Sequence, residues 1–313
     1  MCIRDSPPPA PRPQWFSGIG SQLHVLGTVL ALGMNRGRIV LAGDTLKNFA
    51  HGPHCERAGG AGWGCLFAPI TNCTPADGDD VEDVRNEHRN AVPAAFQPLL
   101  DALGYDFDAG LYWWRIQSTT FLARLSPATA AELAARRLRL AARAALPGAR
   151  GGVGRLDGAA SVFVRHGDKV GETGETYDFP AYLARLEAYH GATRTLGLAH
   201  FTPRRIFLNS DDPDVISQAL GMTRGHGRAA NWTVAYVPAR REKGQNLWAD
   251  AASGAETFLN AWLNVLIALE CDVYACTFFS NMCRLIDELR RTVGARNAAP
   301  YLEVGDGAFV YNW

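Results

Sequence analysis

The feature that most limits what this chain can fold into is an alternation running through its second half. Short β-branched and aromatic runs take turns with segments of helical periodicity, and the connections between them are brief. Ser161-Val-Phe-Val-Arg165 reads as a buried strand and is followed by a helix from about Pro180 to Tyr189. Arg205-Ile-Phe-Leu-Asn-Ser210 is a second strand, after which Asp211-Asp212-Pro213-Asp214 caps a helix running to Leu220. Trp232 to Tyr236 gives a third strand, Ala255 to Leu269 an amphipathic helix, Asp272 to Thr277 a fourth strand, and Ser280 the start of a helix to Val293. Alternation of this kind predicts an α/β fold with a parallel, doubly wound, Rossmann-like sheet in the C-terminal half. Ligands of such sheets bind beyond the C-terminal ends of the strands.

The stretch Pro147-Gly-Ala-Arg-Gly-Gly-Val-Gly154 interrupts the pattern and marks a domain boundary. With 313 residues the chain has room for two domains, 15–150 and 151–313. Residues 1–14 are proline-rich, lack the apolar core of a signal peptide and read as a leader without structure of its own, or as a non-native edge. In the first domain, Gly18-Ile-Gly20-Ser-Gln-Leu-His24 opens a helical run, an arrangement suited to a phosphate. The dinucleotide fingerprint fails there, because a preceding strand and a third glycine are missing. Arg38 to Asp44 reads as a strand, Cys55 to Cys73 as an irregular stapled excursion, and Asp77 to Asn90 as a solvated loop or surface helix. A helix carries Trp113 and Trp114, as core packing or as a sugar platform. Ser126-Pro127 caps another helix that runs to Leu146.

Charge narrows the function classes. Thirty-one basic and 31 acidic side chains cancel, so no whole-molecule field draws nucleic acid or an anionic membrane. No run of about 18 apolar residues predicts a spanning helix. The seven cysteines form no CxxC or zinc-type spacing. With the sequons Asn72-Cys73-Thr74 and Asn231-Trp232-Thr233 they fit a secretory, disulfide-containing protein, although buried free cysteines and chance sequons would account for each alone.

Three clusters could carry chemistry. Arg165 at a strand end, with Lys169 four residues on, sets a bidentate anion fork beside a point charge, which suits a diphosphate leaving group. An Arg165–Asp168–Lys169 surface ion network is the plain alternative. Asp211 and Asp212 could hold a divalent metal, or cap the helix that Pro213 begins. Thr277-Phe-Phe-Ser280-Asn281 offers hydroxyls and backbone N–H groups to an anion, or simply a Ser280 cap.

Phe163-Val-Arg-His-Gly-Asp-Lys-Val-Gly171, Phe207-Leu-Asn-Ser-Asp-Asp-Pro213 and Ala275-Cys-Thr-Phe-Phe-Ser-Asn-Met-Cys-Arg284 resemble three successive motifs of the α-1,6-fucosyltransferases. That family takes in the core fucosyltransferases of N-glycans and the bacterial enzymes that fucosylate chitin oligosaccharides. The glycine loop at Gly18 and the Trp113-Trp114 pair fall in the matching order, so the resemblance runs from about residue 15 to Trp313. It implies a two-domain GT-B-like fold, GDP-fucose as donor, a GlcNAc-containing acceptor, inversion at the sugar carbon, and neither metal nor other cofactor. It places Arg165 on the donor diphosphate, with Asp168, Lys169, Tyr182, Asp211, Asp212 and Ser280 at matching functional positions, His166 and Asn264 at substrate-binding positions where the residue type differs, and the loop at Gly18 and Gly20 over the phosphates. It also implies a Cys276–Cys283 disulfide and, for a eukaryotic member, a Golgi or secretory lumen.

Some positions depart from the family pattern. Phe163 stands where the family has a histidine, Asn264 where it has an aspartate near the guanine, and His166 where the animal motif has a second arginine. The family's acidic residue falls on Thr173, which leaves Glu172 and Glu175 as the nearest candidates for the general base. Two further readings follow from these departures: the same fold with another nucleotide-sugar donor or acceptor, and a non-catalytic glycan- or nucleotide-binding relative.

Overall fold

The computed structural model describes residues 2–5, 18–42, 45–73, 81–84, 91–142, 156–166, 176–197, 204–225, 228–241, 254–294 and 300–305. The chain divides into two compact units, Met1–Ala131 with Trp248–Phe258 and Val310–Trp313, and Glu132–Leu247 with Leu259–Phe309. The division falls inside the helix Pro127–Ala142, ahead of the glycine-rich stretch 147–154, which lies outside the described residues.

In the first unit, β1 (Cys2–Asp5) lies between β2 (Ile39–Leu41) and β3 (Val81–Val84) in a parallel sheet, with Cys2 opposite Ile39 on one side and Val81 on the other. This differs from the unstructured leader expected through residue 14 and the loop or helix expected at 77–90. Strands of four residues carry little local signal; what makes them strands is pairing with segments distant in sequence, which satisfies their backbone N–H and C=O groups.

Helix α1 (Ile19–Arg36) buries Leu23, Leu26 and Val29 at helical spacing. It ends at Gly37, whose φ of 62° is the left-handed conformation that lets Arg38 N–H reach back to Gly33 O. Short helices α2 (Pro53–Arg57) and α3 (Trp63–Leu66) are joined by the Cys55–Cys65 disulfide, so the excursion is stapled as its composition suggests. After α4 (Gln97–Ala102), α5 (Phe107–Leu122) starts at Asp106, whose carboxylate accepts Ala109 N–H at 2.9 Å. Trp114 is buried and donates to Gly27 O at 3.0 Å, while Trp113 meets the Phe96 ring edge-on at 5.2 Å. Trp114 therefore packs the interior of this unit, and Trp113 lies half-buried against Phe96. Helix α6 (Pro127–Ala142) is capped as expected: Ser126 Oγ accepts Thr129 N–H at 3.2 Å and donates to Cys65 O at 2.7 Å.

The second unit holds a five-stranded sheet, every adjacent pair of which is parallel, in the order β6-β5-β4-β7-β8. Its elements run β4 (Leu156–Val164), α7 (Phe179–Thr195), β5 (Arg205–Ser210), α8 (Pro213–Arg224), β6 (Thr233–Ala235), α9 (Gly254–Glu270), β7 (Cys271–Cys276), α10 (Asn281–Arg291) and β8 (Tyr301–Glu303). The doubly wound α/β prediction is met, with one strand more than the sequence pattern showed. Period-two alternation sends Ala160, Val162 and Val164 of β4 to one face, where they join Ile206, Leu208, Val273 and Ala275 beneath Phe179, Tyr182 and Leu186 of α7 and Val215 and Ile216 of α8. Each of the valine, leucine, isoleucine and phenylalanine side chains contributes about 1.5–3 kcal/mol on burial, so this layer fixes the strand register. Arg137 of α6 forms a bidentate pair with Glu270 of α9, at 2.8 and 2.5 Å. Among the described residues no helix is long and apolar enough to cross a membrane.

Candidate functional site

The order of the strands places the site. The chain moves outward from β4 to β5 to β6 and then crosses back to β7 on the other side of β4, so the connections after β4 and β7 diverge. Such a switch point leaves a crevice at the C-terminal ends of the strands, where doubly wound sheets bind ligands.

Register then decides which side chains meet there. Val164 pairs with Ser210, so the next residues, Arg165 and Asp211, emerge side by side and form an ion pair. His166 continues the same edge. Its backbone N–H donates to Asp211 Oδ1 at 3.0 Å, and its ring Nδ1 lies 2.9 Å from Asp212 Oδ2. Its Nε2 lies 3.3 Å from Tyr177 O and 3.4 Å from Asp178 Oδ1. Both ring nitrogens of this buried histidine are thus turned to partners within the protein. Asp212 is wholly buried; its Oδ1 accepts Asp214 N–H at 2.9 Å, and Pro213 follows it at the first helical position. All four oxygens of Asp211 and Asp212 are engaged in shaping the strand end and capping α8, the structural one of the two roles their sequence allows.

The connection after β7 is built differently. Thr277 to Ser280 makes a tight turn closed by Ser280 N–H to Thr277 O at 3.1 Å, and Cys276 and Cys283 are joined by a disulfide across it. Ser280 occupies the N-cap position of α10 with extended backbone, yet its hydroxyl makes no cap hydrogen bond. The first-turn N–H groups of a helix have no acceptor within it, so this end offers partial positive charge to an anion. Tyr182 reaches the turn from α7: it is buried, hydrogen-bonded with the Thr277 side chain, and its phenol is pushed well above the usual tyrosine range, chiefly by burial.

Arg165, His166, Tyr182, Asp211, Asp212 and Ser280 are therefore gathered along one edge of the second unit's sheet. Asn264 is buried on α9, where its Nδ2 donates to Asn260 O at 2.7 Å, and Phe163 is buried on β4. Gly18 is the N-cap of α1 in the first unit, and Gly20 lies in that helix's first turn. Asp168, Lys169, Glu172 and Glu175 lie outside the described residues.

Sequence reading missed two contributors. Arg241 follows β6 and donates to Ser210 O at 2.9 Å, Ala239 O at 3.0 Å and Val237 O at 2.6 Å, which brings a second guanidinium to the end of β5. Burial holds that group below its usual range. A basic residue just past a strand of the alternation was the available signal. Glu303, at the end of β8, accepts Phe278 N–H, and burial raises its carboxyl above the usual carboxylate range. Nothing in the local sequence marked it, because the strand that carries it is three residues long.

No family model matches this chain, and no curated protein matches it. Among solved structures it is similar to NodZ α-1,6-fucosyltransferase soaked with GDP-fucose, at 15% identity and a TM-score of 0.43, over 87% of this chain and 89% of that one. A structure of fucosyltransferase NodZ from Bradyrhizobium aligns at 15% identity and a TM-score of 0.41, over 86% and 89%. POFUT1 in its apo form aligns at 10% identity and a TM-score of 0.43, over 97% of both chains. This likeness is distant, and the chemistry is carried by the geometry of the chain's own residues.

Proposed function

We propose that this chain is an inverting, metal-independent glycosyltransferase that moves fucose from GDP-fucose to a GlcNAc-containing glycan in α-1,6 linkage. The observation that carries the reading is that Arg165 and the N-terminus of α10, which Ser280 does not cap, follow the adjacent parallel strands β4 and β7 at the switch point of the sheet. A fixed guanidinium and a helix N-terminus are two groups that together suit a diphosphate.

In this reading the acceptor hydroxyl oxygen attacks the sugar carbon and the bond to the β-phosphate breaks. The electron pair leaves with GDP, and the hydroxyl proton passes to a carboxylate, for which Glu172 and Glu175 are the candidates. Charge grows on the departing diphosphate as the sugar becomes oxocarbenium-like, so groups fixed beforehand at that diphosphate stabilise the transition state more than the ground state. Arg165 serves this role, Asp168 and Lys169 follow it in the sequence, and Ser280 offers its hydroxyl to the same group. Metal independence is supported by the occupied oxygens of Asp211 and Asp212. The two disulfides, Cys55–Cys65 and Cys276–Cys283, favour an oxidising compartment such as the Golgi lumen.

The test is a transfer assay with GDP-fucose against a GlcNAc-terminated N-glycan and a chitin oligosaccharide, read by product mass and linkage analysis. Fucosylated product with inverted configuration supports the reading, and absence of both transfer and donor hydrolysis contradicts it. A second reading, another nucleotide-sugar donor, is favoured by the burial of Phe163 and Asn264 at the positions expected to recognise guanine. A panel of donors separates the two: turnover with another donor and none with GDP-fucose selects the second.

A further inference from the structure

Glu303 pairs with Cys276 in the register of β7 and β8, which sets its carboxylate against the turn that leads into α10. There Oε1 and Oε2 each lie 3.2 Å from Phe278 N, so one backbone N–H is held between two acceptors. Tyr301, two residues earlier on the same face of the strand, has its hydroxyl 2.7 Å from Glu303 Oε2 and 2.9 Å from Cys276 O. Its ring lies on that of Phe278, with centroids 4.1 Å apart. The turn is therefore gripped by β8 through backbone, carboxylate and ring, while the Cys276–Cys283 disulfide closes it covalently. Arg185 and Arg284 act electrostatically on the Glu303 carboxylate, which offsets its negative charge next to an anion-binding helix end.

We propose that Glu303 and Tyr301 are positioning residues that hold the Thr277–Ser280 turn, and through it the N-terminus of α10, in the shape that receives the donor's diphosphate. This rests on the functional reading above. Neither side chain needs to touch the nucleotide. A helix N-terminus binds an anion only as well as its N–H groups converge, and here their direction is set by the turn that precedes them. A charge-assisted hydrogen bond is strong enough to set it, and an amide oxygen in the same place can still accept from Phe278 N–H.

The test combines calorimetric titration with GDP, steady-state kinetics with GDP-fucose, and hydrogen exchange of the ligand-free full chain. Glu303→Ala is expected to weaken GDP binding about tenfold, equivalent to about 1.4 kcal/mol, and to raise KM for the donor more than it lowers kcat. Exchange of the amides from Phe278 to Cys283 is expected to quicken. Glu303→Gln is expected to restore both, and Tyr301→Phe to fall between. A general packing role would lower the melting temperature without rescue by glutamine and without a selective change in KM. Should the alanine variant fail to fold, Glu303→Gln and Tyr301→Phe carry the comparison. GDP affinity and exchange at wild-type levels in both Glu303→Ala and Tyr301→Phe overturn the proposal. Wild-type protein that binds no GDP overturns the functional reading instead, and the exchange of the ligand-free variants then decides the clamp by itself.

Discussion

Two helices start at the same edge of the second unit's sheet, and their first turns are finished in opposite ways. Helix α8 is closed by the protein itself: Asp212 accepts a first-turn N–H, Pro213 contributes no donor, and His166 seals the carboxylate from behind. Helix α10 begins at a serine whose hydroxyl caps nothing, on a turn held from outside by Glu303 and a disulfide. Equivalent positions in one sheet are thus finished differently, one helix end capped by its own aspartate and the other not capped by its serine, the end to which the proposed reading gives the diphosphate. The number of acidic residues does not tell them apart. What distinguishes them is where the carboxylate points: Asp212 fills its own helix, whereas Glu303 grips the turn before the helix and leaves the first-turn N–H groups of α10 uncapped by Ser280.

Substitutions on the two sides should separate function from stability, and the largest effect belongs to the group that serves the open end. Arg165→Ala should lose about 2–4 kcal/mol of transition-state stabilisation, read from kcat/KM with GDP-fucose, because it removes a preorganised donor to the leaving group. Near-normal kcat/KM in that variant would break the division of labour. On the closed side, Asp212→Ala removes a cap and leaves His166 without its buried acceptor. The sum is about 2–4 kcal/mol of stability, measurable as a lowered urea midpoint. An unchanged midpoint would mean that the α8 end is not structural.

Ser280→Ala tests the open side more finely. Its unfolding free energy, from urea titration, should stay within about 0.5 kcal/mol of wild type, since no cap bond is lost, while GDP should bind several-fold more weakly. A stability loss without a change in GDP affinity would reverse the assignment. The smallest effect concerns pH. Burial raises the Glu303 carboxyl above the usual carboxylate range, so the folded protein keeps this proton to higher pH than the unfolded chain does. Its stabilising contribution is therefore complete below the unfolded value and is lost as pH climbs through the folded one. Denaturation midpoints from about pH 4 to about pH 8 should fall more in wild type than in Glu303→Gln, which has no proton to release. Parallel curves would remove the effect.

The closed end was legible in the sequence and the grip on the open end was not. Asp-Asp-Pro-Asp after an apolar run announces a strand end and a capped helix, because capping is a contact between near neighbours. The strand Arg205–Ser210 was read at its true limits for the same reason, since a continuous apolar run bounded by polar residues is a local signal. Arg165 could be read as a strand-end cation, but its pairing with Asp211 depends on the register Val164↔Ser210, which only the folded sheet supplies. Tyr301–Glu303, Cys2–Asp5 and Val81–Val84 are strands through partners far away in sequence, and runs this short show no periodicity. Glu303 was missed with its strand. Ser280 stands at the helix start as its sequence suggests, while the absence of a cap bond from its hydroxyl shows only in the folded turn.

The most direct measurement of the central claim, that this edge binds a diphosphate, is calorimetric titration of the wild-type chain with GDP and, separately, with guanosine. GDP should bind, with an affinity that falls as salt rises, and guanosine should bind at least a hundredfold more weakly, a loss of about 2.7 kcal/mol. Guanosine binding as tightly as GDP would contradict the assignment of Arg165 and the α10 N-terminus to a diphosphate.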